Sequence, residues 1–333
     1  MSFGSFIYRQ SLASLTDKRL PARLRAGGFR LLRKAMLRFT DPACRMDIRG
    51  KILWLPLSHQ LPFYVSPDAN YDKLLGRVSD FIRTAEGQVC GIDVGANIGD
   101  TITACANGDK DRFLAIEPNP VFFEYLKKNL ARLPASRLLQ AVCTSEDRTT
   151  TYNISTVHGT AQFAESTTQG LALETKCLDT ILEQFTEFKK CNFVKIDTDG
   201  YDFEVIRGAR KMIAAAGPAV LFECDVFGNA NYFEDTLQAL RFFGETGYRH
   251  ALVYDHTGFL FSQISLNNTL DFPQALFYQL TSQRCYFDIL VMRDAGEFLR
   301  QELDYFINST ANAERRQAAE KAAKKILERL AHT

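Results

Sequence analysis

From Gln88 onward, short runs of apolar residues alternate with segments whose apolar residues recur every three or four positions. The runs predict seven buried strands, at Val89–Val94, Arg112–Glu117, Arg137–Val142, Phe193–Asp197, Ala219–Cys224, Arg249–Asp255 and Tyr286–Met292. The amphipathic segments predict helices at Gly99–Ala106, Val121–Leu133, Tyr201–Ala216 and Tyr232–Thr246. Because such helices cover both faces of a parallel sheet, we expect an α/β fold with a doubly wound, mostly parallel seven-stranded sheet.

Two stretches interrupt this alternation. Thr149–Leu178 is rich in threonine and other β-prone residues, which predicts an inserted hairpin or ribbon. Leu266–Cys285 is a long connection before the last strand. Connections of that length often carry function in α/β enzymes.

The regions before and after this alternation are predicted to form helical additions. The chain is therefore expected to have three parts: an N-terminal region at 1–86, the α/β domain at 87–294 and a C-terminal region at 295–333. In the first part, Phe29–Phe39 has an apolar stripe at helical spacing, formed by Phe29, Leu32, Met36 and Phe39, with arginines opposite. A strand at Ile52–Leu57 and a helix near Tyr71–Ala85 follow. In the third part, Ser309–Ala331 repeats small and apolar residues every four positions, which predicts a helix that packs on the domain or on a second copy.

The chain has a net charge of +1, but the charge is unevenly distributed. Residues 1–50 hold eleven Lys and Arg against three Asp, a local excess of +8. A basic helix with an apolar stripe is typical of peripheral contact with an anionic membrane. The alternative is that the stripe packs on the catalytic domain while the arginines stay in solvent. The balanced net charge gives no reason to expect a nucleic-acid partner.

Eight cysteines are scattered without a CxxC pair, which favours free buried thiols and a reducing cytoplasm over a zinc site. The sequence has no run of 18 apolar residues, so it predicts no membrane-spanning helix. The first residues lack the apolar core and cleavage site of a secretory signal, so we expect a cytoplasmic protein, with the inner face of a membrane as the place of any membrane contact.

A glycine-rich turn follows the first strand of the sheet, in the segment Gly91–Thr101. Gly95 and Gly99 are spaced GxxxG, and Asp93 stands where the dinucleotide motif GxGxxG has a glycine. A carboxylate there would repel a pyrophosphate but suits a ligand with a cationic ammonium and sulfonium end. A glycine turn without any ligand is the plainer alternative.

Glu117 ends the second strand, about twenty residues after Gly95. At this distance an acid is well placed to accept hydrogen bonds from both hydroxyls of a ribose.

A third motif, Val194–Ala209, ends a strand in the triplet Asp197-Thr198-Asp199 and continues into a helix. Ligands in such sheets bind outside the carboxyl ends of the strands, so both acids should face the same crevice as Gly95. They could chelate a divalent cation or accept a proton. The alternative is helix capping by Asp199, with Asp202 in the first turn.

Together these segments resemble the FkbM family of S-adenosylmethionine-dependent methyltransferases. The resemblance rests on DVGANIGDT (Asp93–Thr101), AIEPNP (Ala115–Pro120), KCLDTIL (Lys176–Leu182), VKIDTDGYDFEVIRGA (Val194–Ala209) and AVLFECD (Ala219–Asp225). It implies a Rossmann-like methyltransferase that methylates a hydroxyl on a sugar, a glycan or a natural product. The family more often has KIDVEG, so Asp199 stands where glutamate is usual.

The resemblance also implies the residues of the cofactor site. They are Asp93, Gly95, Ala96, Asn97, Gly99, Thr101, Glu117, Pro118, Asn119, Ala141, Val142 and Asp197. Gly95 to Gly99 would line the methionine part, Glu117 would hold the ribose, and Ala141 and Val142 would lie beside the adenine.

An attacking hydroxyl must lose its proton to a base or bind a metal. Asp197 is the leading candidate for the base, with Glu223 as its partner and Asp199 beside it, and Asp197 and Asp199 are the candidate metal ligands. His158 and His256, in loops that flank the crevice, are alternative bases.

Two other classes of protein fit parts of the sequence. The Asp197-Thr198-Asp199 triplet matches the DxD metal site of glycosyltransferases that use nucleotide sugars, although Asp93 and Glu117 argue against it. A non-catalytic protein on a methyltransferase fold would keep the cofactor residues without transferring a methyl group. A nicotinamide-dependent dehydrogenase is weaker because GxGxxG is absent.

Overall fold

The strands form three sheets in a computed structural model that describes residues 2–65, 70–71, 73–157, 160–165, 171–226, 229–267, 272–282 and 286–330. The described strands are β1 (Ala43–Ile48), β2 (Lys51–Pro56), β3 (Cys90–Val94), β4 (Arg112–Ile116), β5 (Arg137–Leu139), β6 (Val142–Cys143), β7 (Arg148–Val157), β8 (Thr160–Glu165), β9 (Leu171–Lys176), β10 (Phe193–Ile196), β11 (Ala219–Cys224), β12 (His250–Asp255), β13 (Leu260–Ser265) and β14 (Phe287–Met292).

The helices lie between and beyond these strands. They are α1 (Phe3–Thr16), α2 (Leu20–Met36), α3 (Leu61–Val65), α4 (Lys73–Glu86), α5 (Asp100–Cys105), α6 (Pro120–Asn129), α7 (Leu178–Gln184), α8 (Asp202–Gly208), α9 (Arg210–Ala216), α10 (Tyr232–Glu245), α11 (Phe272–Ser282), α12 (Gly296–Ser309) and α13 (Ala313–Leu330), with a 3-10 turn at Thr186–Phe188. Within the described ranges, none of them combines the length and the hydropathy that a bilayer crossing requires.

The main sheet has the order β13-β12-β14-β11-β10-β3-β4-β5. Neighbouring strands from β11 through β10, β3 and β4 to β5 are parallel, and β14 runs antiparallel to both β11 and β12. Large apolar clusters cover both faces of the sheet. The predicted α/β architecture is therefore confirmed, and all seven predicted strands are present.

An eighth strand, β13, extends the sheet beyond the seven that we predict. Among the described strands it pairs only with β12, and its residues are half-buried or exposed. An edge strand of this kind has no continuous apolar run, so the sequence pattern does not reveal it.

The inserted segment forms the predicted β-structure, as a second sheet with the order β6-β9-β7-β8. The strand predicted at Arg137–Val142 is divided between the two sheets. It leaves the main sheet after Leu139, and Val142 and Cys143 pair with β9 instead.

The helix predicted at Tyr201–Ala216 is two short helices, α8 and α9. The carboxylate of Asp179 accepts hydrogen bonds from the backbone N–H groups of Lys211 and Met212, at 3.0 and 2.9 Å, and so caps α9 from outside. The break lies at Ala209. A Cβ on the preceding Gly208 would lie 2.1 Å from the carbonyl oxygen of Thr144, so the chain passes this point at backbone contact.

The N-terminal region is a helix pair, α1 and α2, packed beside the hairpin β1–β2. The hairpin and α1 share an apolar cluster with Ile98 and Phe122 of the main domain. The sequence pattern predicts α2 from Phe29 to Phe39, but the helix begins at Leu20 and ends at Met36. The predicted apolar stripe is divided, because Phe29 and Met36 are half-buried whereas Phe39 lies beyond the helix and is 90% exposed.

The C-terminal part contains α12 and α13, where the spacing predicts one helix. The side chain of Glu302 in α12 is buried and pairs with Arg77 of α4. Along the described part of α13, Ala323 is the buried residue, and Ile326 is 37% exposed.

Candidate active site

The turn after β3 places backbone at the carboxyl edge of the main sheet. Gly95 and Gly99 have φ values of +82° and +83°, and Asn97 has φ +47°. A Cβ on Gly95 would lie 1.8 Å from the carbonyl oxygen of Asp197, so only glycine allows the turn to pass the end of β10. The glycine motif and the DTD motif therefore meet, as we expect from the sequence.

Glu117 joins this turn to the next one. Its two carboxylate oxygens accept backbone hydrogen bonds from Asn97 at 2.8 Å and from Asn119 at 2.7 Å. Asn119 in turn caps the first residues of α6. Burial raises the pKa of Glu117 to about 7 in spite of these hydrogen bonds. Each oxygen keeps a further lone pair for a ligand.

A buried lysine lies between two of the acids. The Nζ atom of Lys195 is 2.9 Å from Asp197 Oδ2 and 3.7 Å from Asp93 Oδ1. Burial alone would lower the pKa of Lys195, but the two carboxylates raise it well above its usual value. Because Lys195 occupies a strand position that the pattern assigns to the core, sequence reasoning missed it.

Asp93 is fully buried, and neither of its oxygens has a hydrogen-bond partner in the described part of the chain. Burial raises its pKa to about 6, against the attraction of Lys195. A buried carboxylate without a donor is costly, so this position suits a ligand that brings its own N–H groups.

Asp197, Asp199 and Glu223 form a cluster in which one carboxylate oxygen from each lies within 4.8 Å of the others. Burial, and then the charges of Asp197 and Asp202, raise the pKa of Asp199 to about 8. Burial and Asp197 raise the pKa of Glu223 well above its usual value. The cluster therefore retains protons near neutral pH.

Asp199 does not cap a helix. Helix α8 begins at Asp202, and Asp199 precedes it in a left-handed conformation with φ +51°. Asp202 is the structural acid, since its Oδ2 accepts hydrogen bonds from the backbone and the hydroxyl of Thr198.

The crevice beside the cluster is lined by residues from five parts of the chain. They are Tyr71, Leu74 and Leu75, then Lys195 and Asp197, then Glu223, then His256, and finally Tyr286 and Asp288. The rings of His256 and Tyr286 are 5.6 Å apart, and the buried Nδ1 of His256 has no partner among the described residues. His256 thus lies at the site as predicted, whereas His158 lies outside the described residues.

His59, from the N-terminal region, reaches the glycine turn. Its Nε2 lies 3.1 Å from Asn97 Oδ1, and its Nδ1 accepts the backbone N–H of Leu61. Arg33 of α2 donates to the carbonyl oxygens of Leu57 and Ser58 at 2.8 Å, which fixes the loop that carries His59. No motif around His59 points to this contact, so sequence reasoning missed it.

The remaining predicted cofactor residues lie at the same edge. Ala96 and Thr101 are buried under the turn, and Pro118 is half-buried beside Glu117. Ala141 is buried after the end of β5, and Val142 packs with Tyr152 of the second sheet. That these two residues border an adenine stays a prediction.

Comparison with known proteins identifies the family that the motifs resemble. Residues 93–250 match the family model described as the methyltransferase FkbM domain. The resemblance inferred from the motifs is therefore confirmed over this range.

A curated relative is the hexuronic acid methyltransferase AglP of Haloferax volcanii, which is 32% identical over 117 residues. The match covers 35% of this chain and 48% of the relative, so the chain spans about half the length of the curated protein that it matches.

Solved structures resemble the chain weakly. Methyltransferase FkbM from Methylobacillus flagellatus KT has a TM-score of 0.36 at 16% identity, over 48% of this chain and 38% of that chain. Trm5b from Pyrococcus abyssi has a TM-score of 0.40 at 10% identity, over 76% of this chain and 56% of that chain. Likenesses at this level do not bear on the activity.

Proposed function

We propose that this chain, whose residues 93–250 match the FkbM methyltransferases, uses S-adenosylmethionine to methylate a hydroxyl group of a sugar, a glycan or a natural product. The observation that carries the proposal is Asp93, a buried carboxylate that accepts no hydrogen bond from the described residues, beside the glycine turn and the acidic cluster. A family match and the chemistry of one edge of the sheet thus point the same way.

The residues at this edge fit S-adenosylmethionine. Asp93 would accept N–H groups from the ammonium of the methionine part, which would satisfy its buried oxygens. Glu117 would accept the ribose hydroxyls with the lone pairs that its backbone hydrogen bonds leave free. When bound, the cofactor supplies an electrophilic methyl group.

Asp197 would take the proton of the acceptor hydroxyl. Its side chain is 45% exposed and so can be reached from the crevice, and its Oδ2 lies 2.9 Å from the Nζ atom of Lys195. Asp199 and Glu223 would hold the remaining protons of the cluster, since the pKa values of both are raised. His256 is the alternative base, because it lines the same crevice with an unpartnered Nδ1.

Asp197, Asp199 and Glu223 also form a candidate ligand set for a divalent cation. A metal would lower the pKa of a bound hydroxyl and make a protein base unnecessary. Assays in the presence of EDTA separate the two, because full activity in chelator would leave the carboxylates with the proton alone.

The acceptor class follows from the charge of the crevice. Among the described lining residues, Lys195 is the one lysine or arginine, and it already pairs with Asp197 and Asp93. No lining lysine or arginine is therefore left to pair with a carboxylate of the acceptor, so we favour a neutral hydroxyl acceptor over an acidic sugar such as the one in the name of the Haloferax relative.

We propose that the protein resides in the cytoplasm. All seven described cysteines are free, and six are buried. Thiols of this kind suit a reducing compartment.

The decisive experiment is parallel calorimetric titration with S-adenosylmethionine, S-adenosylhomocysteine, a UDP-sugar with Mn²⁺, and NAD. We expect binding of the first two only. At a pH above 7, where Glu117 is mostly ionised, Glu117→Gln should weaken S-adenosylhomocysteine binding by about ten-fold or more, because a hydrogen bond to a charged acceptor contributes roughly 1.5–3 kcal/mol.

The exposed Glu183→Gln serves as the matched control and should bind like the wild type. Binding of the UDP-sugar with Mn²⁺, without S-adenosylhomocysteine binding, would replace our proposal with the glycosyltransferase. Cofactor binding without methyl transfer to any hydroxyl acceptor would instead indicate a non-catalytic protein on this fold.

A further inference from the structure

The solvent-facing side of α2 carries a row of leucines. Leu20, Leu24 and Leu31 are 66%, 68% and 70% exposed. At 3.6 residues per turn, the three project within about 40° of one another around the helix axis. Single exposed apolar residues are common, but three aligned over three turns form a continuous apolar ridge.

Other residues of α2 make the contacts that hold the helix against the rest of the protein. Ala22 and Ala26 are buried there. Arg30 donates to Ser11 and Ser14 of α1, and Arg33 donates to the loop that carries His59. The leucine ridge therefore contributes nothing to the contacts that hold α2 in place. Its apolar side chains indicate that it binds a partner outside the described residues.

Basic side chains flank the ridge. By the same helical geometry, Arg23 and Lys34 lie about 60° and 40° from Leu20 around the helix axis, on one side of the leucines. Both are exposed, and neither forms an ion pair within the described residues, in contrast to Arg30 and Arg33 with their internal hydrogen bonds. These two charges belong to the local excess of +8 in residues 1–50.

We infer that the ridge of Leu20, Leu24 and Leu31, with Arg23 and Lys34, docks the protein on an anionic lipid bilayer. A helix that lies in the interface buries its apolar side at the boundary between headgroups and acyl chains, while basic residues beside it meet lipid phosphates. A second copy of the chain fits less well. A two-fold dimer on this ridge with antiparallel α2 helices would bring Arg23 of each copy towards Lys34 of the other.

The residues of this proposed membrane contact differ from those that the sequence pattern predicts. The stripe predicted from the sequence includes Phe29 and Met36, which face the protein interior. Leu20, Leu24 and Leu31 lie on the other side of the same helix. The docking surface proposed here is therefore defined by the fold and independent of the methyltransferase proposal.

The test is co-sedimentation of the full chain with phosphatidylcholine vesicles and with vesicles that also contain phosphatidylglycerol, at low and high salt. We expect binding to the anionic vesicles at low salt, weakened at high salt. Arg23→Gln with Lys34→Gln should lower the partition coefficient roughly thirty-fold, since each basic residue near such a surface contributes about 1 kcal/mol. Leu24→Gln with Leu31→Gln should lower it by about ten-fold or more.

A matched pair of variants controls for net charge. Arg315→Gln with Lys324→Gln removes the same charge from exposed positions of α13 and should bind within about two-fold of the wild type. Thermal melting of each variant checks the fold, which exposed positions should leave unchanged.

Three outcomes would overturn the inference. They are recovery of the wild type in the supernatant with anionic vesicles, an equal loss of binding in the α13 control pair, and a concentration-dependent dimer that the leucine variant dissociates. The last result would assign the ridge to a second copy of the chain.

Discussion

Lys195 and the acids around it set the protonation of the site at the scale of single residues. Lys195 pairs with Asp197, whereas burial and the charge of Asp197 raise the pKa values of Asp199 and Glu223. A base works best when its pKa lies near the working pH, and burial brings the pKa of Asp199 to about 8. One lysine thus divides a cluster of like groups into different roles.

Asp197→Asn should lower kcat by about a hundred-fold or more, since a positioned base contributes roughly 10²–10⁴-fold. The exposed Asp304→Asn is the matched control. In the wild type the rate should rise with pH towards about 8, as Asp199 loses its proton and becomes a second proton acceptor in the cluster. Asp199→Asn should remove that rise. Activity of Asp197→Asn within a few-fold of the wild type would transfer the role to His256.

Asp93 should make the free protein less stable as the pH rises. Its pKa is raised by burial from 3.8 to about 6, so the folded state keeps a proton that the unfolded state releases earlier. The free energy of unfolding should therefore fall with rising pH until the folded carboxyl also ionises. From pH 5 to pH 7.5 this loss amounts to about 1–2 kcal/mol.

The amide of Asp93→Asn does not titrate, so this variant should not lose stability in this way. Between pH 5 and pH 7.5 the free energy of unfolding of the variant, relative to that of the wild type, should therefore rise by the same amount. Urea unfolding of both proteins at the two pH values measures the difference. Parallel pH dependences would show that Asp93 does not titrate as we expect. The same variant should bind S-adenosylhomocysteine more weakly, which separates a ligand contact from a merely unfavourable charge.

Elements differ in how far their sequence reveals them. β3, β10 and β11 are buried on both faces and are apolar except for one charged residue each, so their short apolar runs alone locate them. The edge strand β13 and strand β1 have mixed exposure and depend on pairing with neighbours, which a single sequence does not show.

The residues of the candidate site also differ in how far the sequence reveals them. Glycines and acids at strand ends could be predicted, because the carboxyl edge of a parallel sheet collects them. Lys195 and His59 could not. Lys195 lies within an apolar strand, and His59 reaches Asn97 only through the packing of the N-terminal region.

His59, in the loop between β2 and α3, should affect the conformation of the glycine turn. Burial lowers the pKa of His59, so its ring is neutral near pH 7. With Nδ1 accepting from Leu61, the proton is on Nε2 and faces Asn97 Oδ1. His59→Leu should weaken S-adenosylhomocysteine binding several-fold by freeing Asn97, whereas His59→Gln, whose amide can donate from a similar position, should retain most of it.

The readouts are calorimetric affinity and melting temperature of the ligand-free protein. A loss of affinity that His59→Gln restores, at comparable stability, identifies His59 as a positioning residue. Equal losses in both variants would leave His59 with a structural role only.

At the scale of the whole molecule, the two terminal additions should differ in their importance. Deletion of residues 1–50 removes α1, α2 and β1 and exposes the cluster around Leu53, Ile98 and Phe122. We expect this shortened protein to aggregate or to melt well below the full chain. Deletion of residues 313–333 removes α13, in which Ala323 is the buried described residue, and should change the melting temperature by a few degrees at most.

Thermal melting and size-exclusion chromatography of both shortened proteins make the comparison. A stable, monomeric protein that starts at Lys51 would show that the N-terminal region is a detachable appendage. That outcome would also remove the structural reason for the contact between His59 and Asn97.

The contact between hairpin and main domain has a consequence for biosynthesis. Asn129 holds the backbone of Trp54 across 75 positions of sequence, and Ile98 and Phe122 complete the same cluster. On the ribosome, the first hairpin therefore emerges well before the residues that cover it. Contacts of such sequence separation form late, and apolar surface that waits for them is prone to aggregate or to recruit chaperones. Substitutions that slow the folding of the segment from Gly95 to Asn129 should therefore reduce the yield of soluble protein more than they reduce its final stability.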